Sequence, residues 1–151
     1  MLQRKQTLFL LAVVVLTMVG VFFPLGNVEP AGMGVADKAY SLCVIKGDGG
    51  SSFVTAPLFA VNVLTFMLTL VTIFMYSKRP LQARLCVNGI LLQVAWYCYL
   101  AFCWTSVFDS TGTFRPSITV CLPLLNIIFF VMARHGIIKD EKLVRSMDRI
   151  R

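Results

Sequence analysis

The feature that most limits the fold is the separation of apolar and charged residues into blocks. Four apolar runs, 8–25, 57–76, 85–108 and 118–133, contain no Asp, Glu, Lys, Arg or His. A helix of a soluble protein needs a polar face, whereas about 20 mostly apolar residues are enough to cross a bilayer core. Because 58% of the chain is hydrophobic and only 14% is charged, it lacks the polar surface of a soluble domain.

These runs predict an all-α membrane protein with four transmembrane helices in an antiparallel bundle. The chain forms a single membrane domain, 1–151, with spans at about 7–25, 56–77, 85–107 and 116–135. The start MLQRK followed by an apolar stretch also resembles a secretory signal. Since its apolar core is longer than a signal core and no small-x-small cleavage site follows, we expect retention; cleavage would leave three spans.

The basic residues predict the orientation. Of the 14 Lys and Arg, only Lys38, Lys46 and Arg115 lie outside the two terminal segments and the connection between spans two and three. Basic residues accumulate on the cytoplasmic side of membrane proteins. Both termini are therefore expected in the cytoplasm, which leaves one longer extracytoplasmic loop at 26–55.

That loop offers one signal for ordered structure. It begins with GNVEPAGMG, where we expect Gly and Pro to prevent regular structure. YSLCVI and SSFVTA, separated by the turn-forming KGDGG, predict a β-hairpin, with an irregular loop as the alternative. The remaining connections, SKRPLQAR and DSTGTFRP, are expected to be short links between neighbouring antiparallel helices.

Neutral polar residues recur inside the spans. Asn62, Thr65, Thr69 and Thr72 alternate in steps of three and four, so they share one helical face. Gln93 and Asn126 lie at a similar depth in the third and fourth spans. Two interpretations follow: an interhelical hydrogen-bonded cluster, or a pocket for a small neutral or lipid-like ligand.

No pattern indicates catalysis, so we expect no enzyme, no catalytic residues and no cofactor. Ionisable residues inside a membrane span usually mark proton or ion paths, and the middle of each predicted span lacks them. The single histidine and the five cysteines, which contain no C-x-x-C pair, do not form a metal-binding motif. Cys43 and Cys103 are the one pair that could form a disulfide. The net charge of +7 is explained by membrane insertion and does not predict nucleic-acid binding.

The C-terminal segment 137–151 predicts an amphipathic helix. At 100° per residue, Leu143, Met147 and Ile150 form an apolar stripe, opposite a basic face of Lys142, Arg145 and Arg149. Such a helix could lie on the anionic inner leaflet or dock on a partner. A solvated tail that only fixes the topology is the third interpretation.

The start MLQRKQTLFLLA, the four-span layout and the ending KDEKLVRSMDRIR resemble an uncharacterised family of small four-span bacterial inner-membrane proteins, a domain of unknown function found in Bacteroidota. The resemblance implies residence in the bacterial inner membrane and no established activity. We expect a non-catalytic accessory or scaffolding subunit of an envelope complex, with the lipid bilayer and a membrane protein or a second copy as partners. The alternative is a carrier of a neutral or lipid-like small molecule.

Overall fold

A computed structural model describes residues 5–30, 34–75, 78–108 and 112–148. The helices are α1 (Lys5–Phe22), α2 (Ala56–Phe74), α3 (Arg79–Cys103) and α4 (Leu122–Asp148), and the strands are β1 (Gly26–Pro30), β2 (Asp37–Ala39), β3 (Val44–Ile45), β4 (Ser51–Ser52) and β5 (Gly112–Pro116). A π-helical turn, Trp104–Phe108, follows α3, and a 3-10 turn, Ile118–Cys121, leads into α4. The prediction of a mostly helical chain is confirmed, with a small antiparallel sheet added.

All six prolines lie at or beside the boundaries of these elements. Three of them are the second residue of α2, α3 and α4, and the others follow α1 or end β1 and β5: Pro57, Pro80, Pro123, Pro24, Pro30 and Pro116. A proline in the first helical turn costs no hydrogen bond, because the first four N–H groups of a helix have no partner within it. The prolines therefore fix where the helices begin.

The helices expose apolar side chains, and α2 in addition buries mostly polar ones, which is the reverse of a soluble helix. On α2, the exposed side includes Leu64, Met67 and Phe74, while four of the five buried residues are Asn or Thr. Three helical stretches, Ala56–Phe74, Arg79–Phe108 and Ile118–Glu141, are long and apolar enough to cross a membrane; the described apolar part of α1 is shorter, Gln6–Phe22. An apolar exterior of this kind suits lipid as the solvent.

The five strands form one antiparallel sheet with the order β4-β3-β2-β1-β5. The predicted hairpin between YSLCVI and SSFVTA forms as β3 and β4. The expectation for GNVEPAGMG was wrong, because GNVEP is β1 and pairs along its whole length with β5 from DSTGTFRP. Strands β1 to β4 come from the connection between α1 and α2, and β5 comes from the connection between α3 and α4. The sheet therefore lies at one end of the helices, here called the sheet end.

The sheet is held to the helices by its inner face. Val28, Ala39, Val44 and Phe114 pack with Cys103 and Phe108 from the end of α3 and its π turn. Tyr99 of α3 adds a polar link, donating its hydroxyl to the carbonyl of Val54 at 2.9 Å. Because a small sheet is marginal by itself, these contacts explain why the strands are ordered.

Helix α4 continues without a break past the apolar run. Its 27 residues reach about 40 Å at 1.5 Å per residue, which exceeds a hydrocarbon core of about 30 Å. Near its end, Asp140 accepts a hydrogen bond from Gln6 of α1 at 2.5 Å, and its carbonyl accepts one from Arg79 of α3 at 3.4 Å. The tail is thus an extension of α4 and is braced by two other helices.

We expect Asp140→Ala to weaken this brace, because it removes the bond from Gln6 and keeps the bond from Arg79 to the main-chain carbonyl. The substitution removes a half-buried hydrogen bond to a charged acceptor, worth about 1.5 kcal/mol, so the main-chain amides of 141–148 should exchange with solvent faster. Lys139→Ala, which truncates the exposed neighbouring side chain, is the control. Equal exchange rates in the two variants would show that the bond from Gln6 to Asp140 contributes nothing.

Candidate functional site in the helix interior

The six polar residues predicted to cluster, Asn62, Thr65, Thr69, Thr72, Gln93 and Asn126, are all buried. The four from α2 lie on its inner face, as the steps of three and four require. Buried polar groups must be paired, because neither lipid nor an apolar core can bond them. The pairing of each group therefore decides between a structural cluster and a ligand pocket.

The threonines of α2 satisfy their hydroxyl groups within their own helix. Thr65 donates to the carbonyl of Val61 at 2.9 Å, Thr69 to that of Thr65 at 2.6 Å and Thr72 to that of Leu68 at 2.7 Å. This bond to the residue four positions earlier lets a hydroxyl lie in an apolar interior without an external partner. These hydrogens are therefore committed and are not offered to a ligand.

The amide of Gln93 connects α3 to α2. Its Nε2 donates to the hydroxyl oxygen of Thr65 at 3.4 Å, while its Oε1 has no hydrogen-bond partner among the described residues. Because Thr65 has already given its hydrogen to Val61, its oxygen can only accept from Gln93. Thr65 thus fixes the orientation of the Gln93 amide, with Nε2 toward Thr65 and Oε1 away from it.

Asn126 makes the corresponding connection from α4 to α1. Its Nδ2 donates to Thr17 at 3.3 Å, and Thr17 donates to the carbonyl of Val13 at 2.7 Å. At the α2 to α3 connection, Gln82 donates to the carbonyl of Thr72 at 3.0 Å. Neighbouring helices are therefore joined by side-chain amides, each bond contributing about 0.6 to 2 kcal/mol in a membrane interior.

A small cavity lies toward the sheet end of these residues. Its volume is about 10 Å³, close to the minimum of about 10 to 15 Å³ that one water molecule needs. Polar and apolar side chains from all four helices line it, among them Thr17, Asn62, Trp96, Thr119 and Asn126. Only Asn62 and Asn126 of the predicted cluster reach this cavity, whereas the threonines and Gln93 do not line it.

Sequence reasoning missed Thr17 and Gln82 as partners of the cluster. Thr17 is a single hydroxyl group in an apolar run, and Gln82 falls before the predicted third span, so no periodic pattern marked them, whereas steps of four and three placed Thr119 on the same face as Asn126. The indole of Trp96 is 1% exposed and packs edge-on against Tyr97 at 5.2 Å between ring centroids. The position of Trp96 near the middle of the third apolar run was the sequence signal for packing between helices.

The predicted tail surface is described only in part. Helix α4 includes the main chain through Asp148, and Leu143 is exposed on it. The side chains of Lys142, Arg145 and Met147, and the whole of Arg149 and Ile150, lie outside the described residues. Leu143 and its exposed neighbour Val144 therefore mark the apolar side of the described part of the tail.

All five cysteines are free, including Cys43 and Cys103. Cys103 is buried where the sheet packs on α3, and Cys43 is half-buried in the connection before β3. Within the described ranges, no group of three His, Cys, Asp or Glu side chains is placed to hold a metal ion. The polar groups that meet in the interior are amides, hydroxyls and one indole.

These features define a class: a helical protein with an apolar exterior, a neutral polar interior and a small sheet across one end. Residues 2–150 match a family described as a domain of unknown function, DUF4293. The chain therefore belongs to this family, as its terminal segments suggested. No curated protein matches the chain.

Proposed function

We propose that this protein is a non-catalytic accessory or scaffolding subunit of an envelope complex in the bacterial inner membrane. In this proposal the four helices cross the bilayer as an antiparallel bundle, with both termini in the cytoplasm and the sheet outside. The protein acts through its two protruding surfaces, and its helix interior serves to hold the bundle together.

The observation that supports this proposal best is that the threonine hydroxyls and the amide nitrogens of Gln93 and Asn126 in the interior already donate to protein acceptors. The threonine hydroxyls bond their own helix, and Gln93 and Asn126 bond a threonine on a neighbouring helix. The cavity between Asn62 and Asn126 has a volume of about 10 Å³, far below the roughly 300 Å³ of a small-molecule site. A carrier of lipid-like molecules would need this interior to open.

The distribution of charge supports the orientation. Arg79, Arg134 and Lys139 lie at the end of the helices opposite the sheet, together with the start of α1 and the end of α4. On the sheet side, the three described basic residues, Lys38, Lys46 and Arg115, are accompanied by three acidic ones, Glu29, Asp37 and Asp48. Glu29 pairs with Arg115 at 3.1 Å. The positive-inside rule favours a cytoplasmic location for the end opposite the sheet. If α1 crosses the membrane together with α2, α3 and α4, the chain crosses it four times.

Two surfaces are available to partners. On the outer face of the sheet, Ile45, Lys38, Asn27 and Arg115 form one exposed row, since each is the register partner of the next. At the other end, the extension of α4 carries the exposed Leu143 and Val144 beyond the apolar run. Both surfaces combine apolar and charged side chains, as protein interfaces do.

Photo-crosslinking in native membranes tests the proposal. A photoreactive residue at Ile45 or Leu143 should give discrete crosslinked proteins, because these positions represent the two protruding surfaces. Leu64 of α2 is the matched control, since it is as exposed as Leu143, 56% in both cases, but lies in an apolar span. At Leu64 we expect lipid adducts in place of discrete proteins.

Two results would contradict the proposal. One is a set of crosslinks to lipid alone at all three positions, together with purification of an isolated monomer in mild detergent. The other is a small neutral molecule that remains bound in native mass spectrometry and is lost in Asn62→Leu, which would favour the carrier. A reporter that fluoresces only in the cytoplasm, fused after Arg151, tests the orientation separately.

A further inference from the structure

Two buried polar atoms at the cavity have no partner among the described residues. They are Nε1 of Trp96 and Oδ1 of Asn126, on side chains that are 1% and 2% exposed and that line the same cavity. Buried donors and acceptors in folded proteins nearly always bind a partner, and ordered water is the usual one when protein atoms do not serve.

The hydroxyl of Thr17 fixes the direction of the Asn126 oxygen. Thr17 gives its hydrogen to the carbonyl of Val13 at 2.7 Å, so toward Asn126 it can only accept. The amide nitrogen of Asn126 must therefore face Thr17, where it lies at 3.3 Å. The oxygen is on the other side of the amide, and exchanging the two atoms would leave two acceptors facing each other.

The chemistry of the two atoms defines what can bind between them. An indole N–H only donates, and an amide oxygen only accepts. A bare cation would be repelled by the indole N–H, and an anion would be repelled by the amide oxygen. The occupant must therefore be neutral and must accept and donate at once, and a volume of about 10 Å³ limits it to the size of water.

We propose that this cavity binds one ordered water molecule, which accepts a hydrogen bond from Nε1 of Trp96 and donates one to Oδ1 of Asn126. Thr17 of α1 and Asn62 of α2 complete the polar wall. The water thus connects the helices at the point where side chains from all four meet. Its role is to satisfy the two polar atoms that protein groups leave unpaired in the interior.

Nuclear magnetic resonance of the full chain in lipid nanodiscs tests this proposal. The indole proton of Trp96 should show cross-relaxation with a long-lived water, and Trp104→Phe assigns the two indole signals. In Asn126→Leu the cross-peak should be lost, because the acceptor is removed and the leucine methyl groups fill the space. Gln93→Leu is the matched control: it also removes a buried amide with an unpaired oxygen, but away from the cavity, so the cross-peak should remain.

Three outcomes would overturn the proposal: no cross-peak in the parent protein, a cross-peak that persists in Asn126→Leu, or its loss in Gln93→Leu as well. The first outcome is measured on the parent protein and therefore does not depend on whether a variant folds. A second measurement, an experimental structure at a resolution that shows waters, should place one within hydrogen-bond distance of both Trp96 Nε1 and Asn126 Oδ1. A direct bond between these atoms in that structure would also reject it.

Discussion

The Gly89→Ala protein is expected to be less stable than a Gly20→Ala protein by about 1 to 3 kcal/mol, the usual cost of overpacking a core. A Cβ at Gly89 on α3 would lie 2.6 Å from the Phe130 ring of α4, at Cζ, and within 3 Å of two further ring atoms. Phe130 is fully buried between Leu10, Val13 and Ile137. The ring cannot move away without displacing α1 as well.

Gly20 is a suitable control because it is also a helical glycine facing the interior. A Cβ there meets only Leu122, at an ordinary contact distance of 3.7 Å. Both substitutions gain the same intrinsic helix propensity, about 1 kcal/mol, so their difference isolates the contact with Phe130. Unfolding free energies from titration with a denaturing detergent measure it, and equal values for the two variants would disprove close packing of α3 on α4.

Phe114→Ala is expected to cost about 3 to 5 kcal/mol, as for other buried phenylalanines, and to release the sheet from the helices. Phe114 on β5 is 5% exposed. Its ring stacks on Phe108 at 4.7 Å and meets Trp104 edge-on at 5.3 Å. Since both partners belong to the π turn after α3, the Phe114 ring links strand β5 to the end of that helix.

The loss should be local to the sheet end. The main-chain amides of 26–29 and 112–115 should exchange faster in Phe114→Ala, because β1 and β5 pair with each other, while those in the middle of α3 should keep their protection. Phe53→Ala is the control, since Phe53 is 63% exposed next to the same sheet. If both variants exchanged alike, the inner face of the sheet would not be what anchors it.

The helices were predictable because their signals are local. Apolar runs of sufficient length mark the helices, although α3 begins at Arg79, inside the predicted connection SKRPLQAR, and α4 begins at Leu122. The period of three and four along α2 was enough to place Asn62, Thr65, Thr69 and Thr72 on one buried face. Each of these statements concerns residues of one continuous segment, so no knowledge of the remaining chain was needed.

The sheet could be predicted only where its strands are neighbours in sequence. Strands β3 and β4 are joined by a short turn, in which Gly49 has a φ of 87° that favours glycine. The pairing of β1 with β5 joins residues more than eighty positions apart, and strands of two to five residues have too few positions to show alternation. That pairing exists because α1 and α3 end on the same side.

The sequence by itself determined the apolar exterior of this chain, the helical state of its apolar runs and the neutral, polar character of its interior, because composition, apolar length and helical period are properties of single segments. Only the tertiary structure decided which polar atoms are paired. Thr65 and Thr17 give their hydrogens to their own helices and so fix two amides, which leaves Trp96 and Asn126 facing a common cavity. Such pairing depends on where separate helices meet, and no local pattern encodes that position.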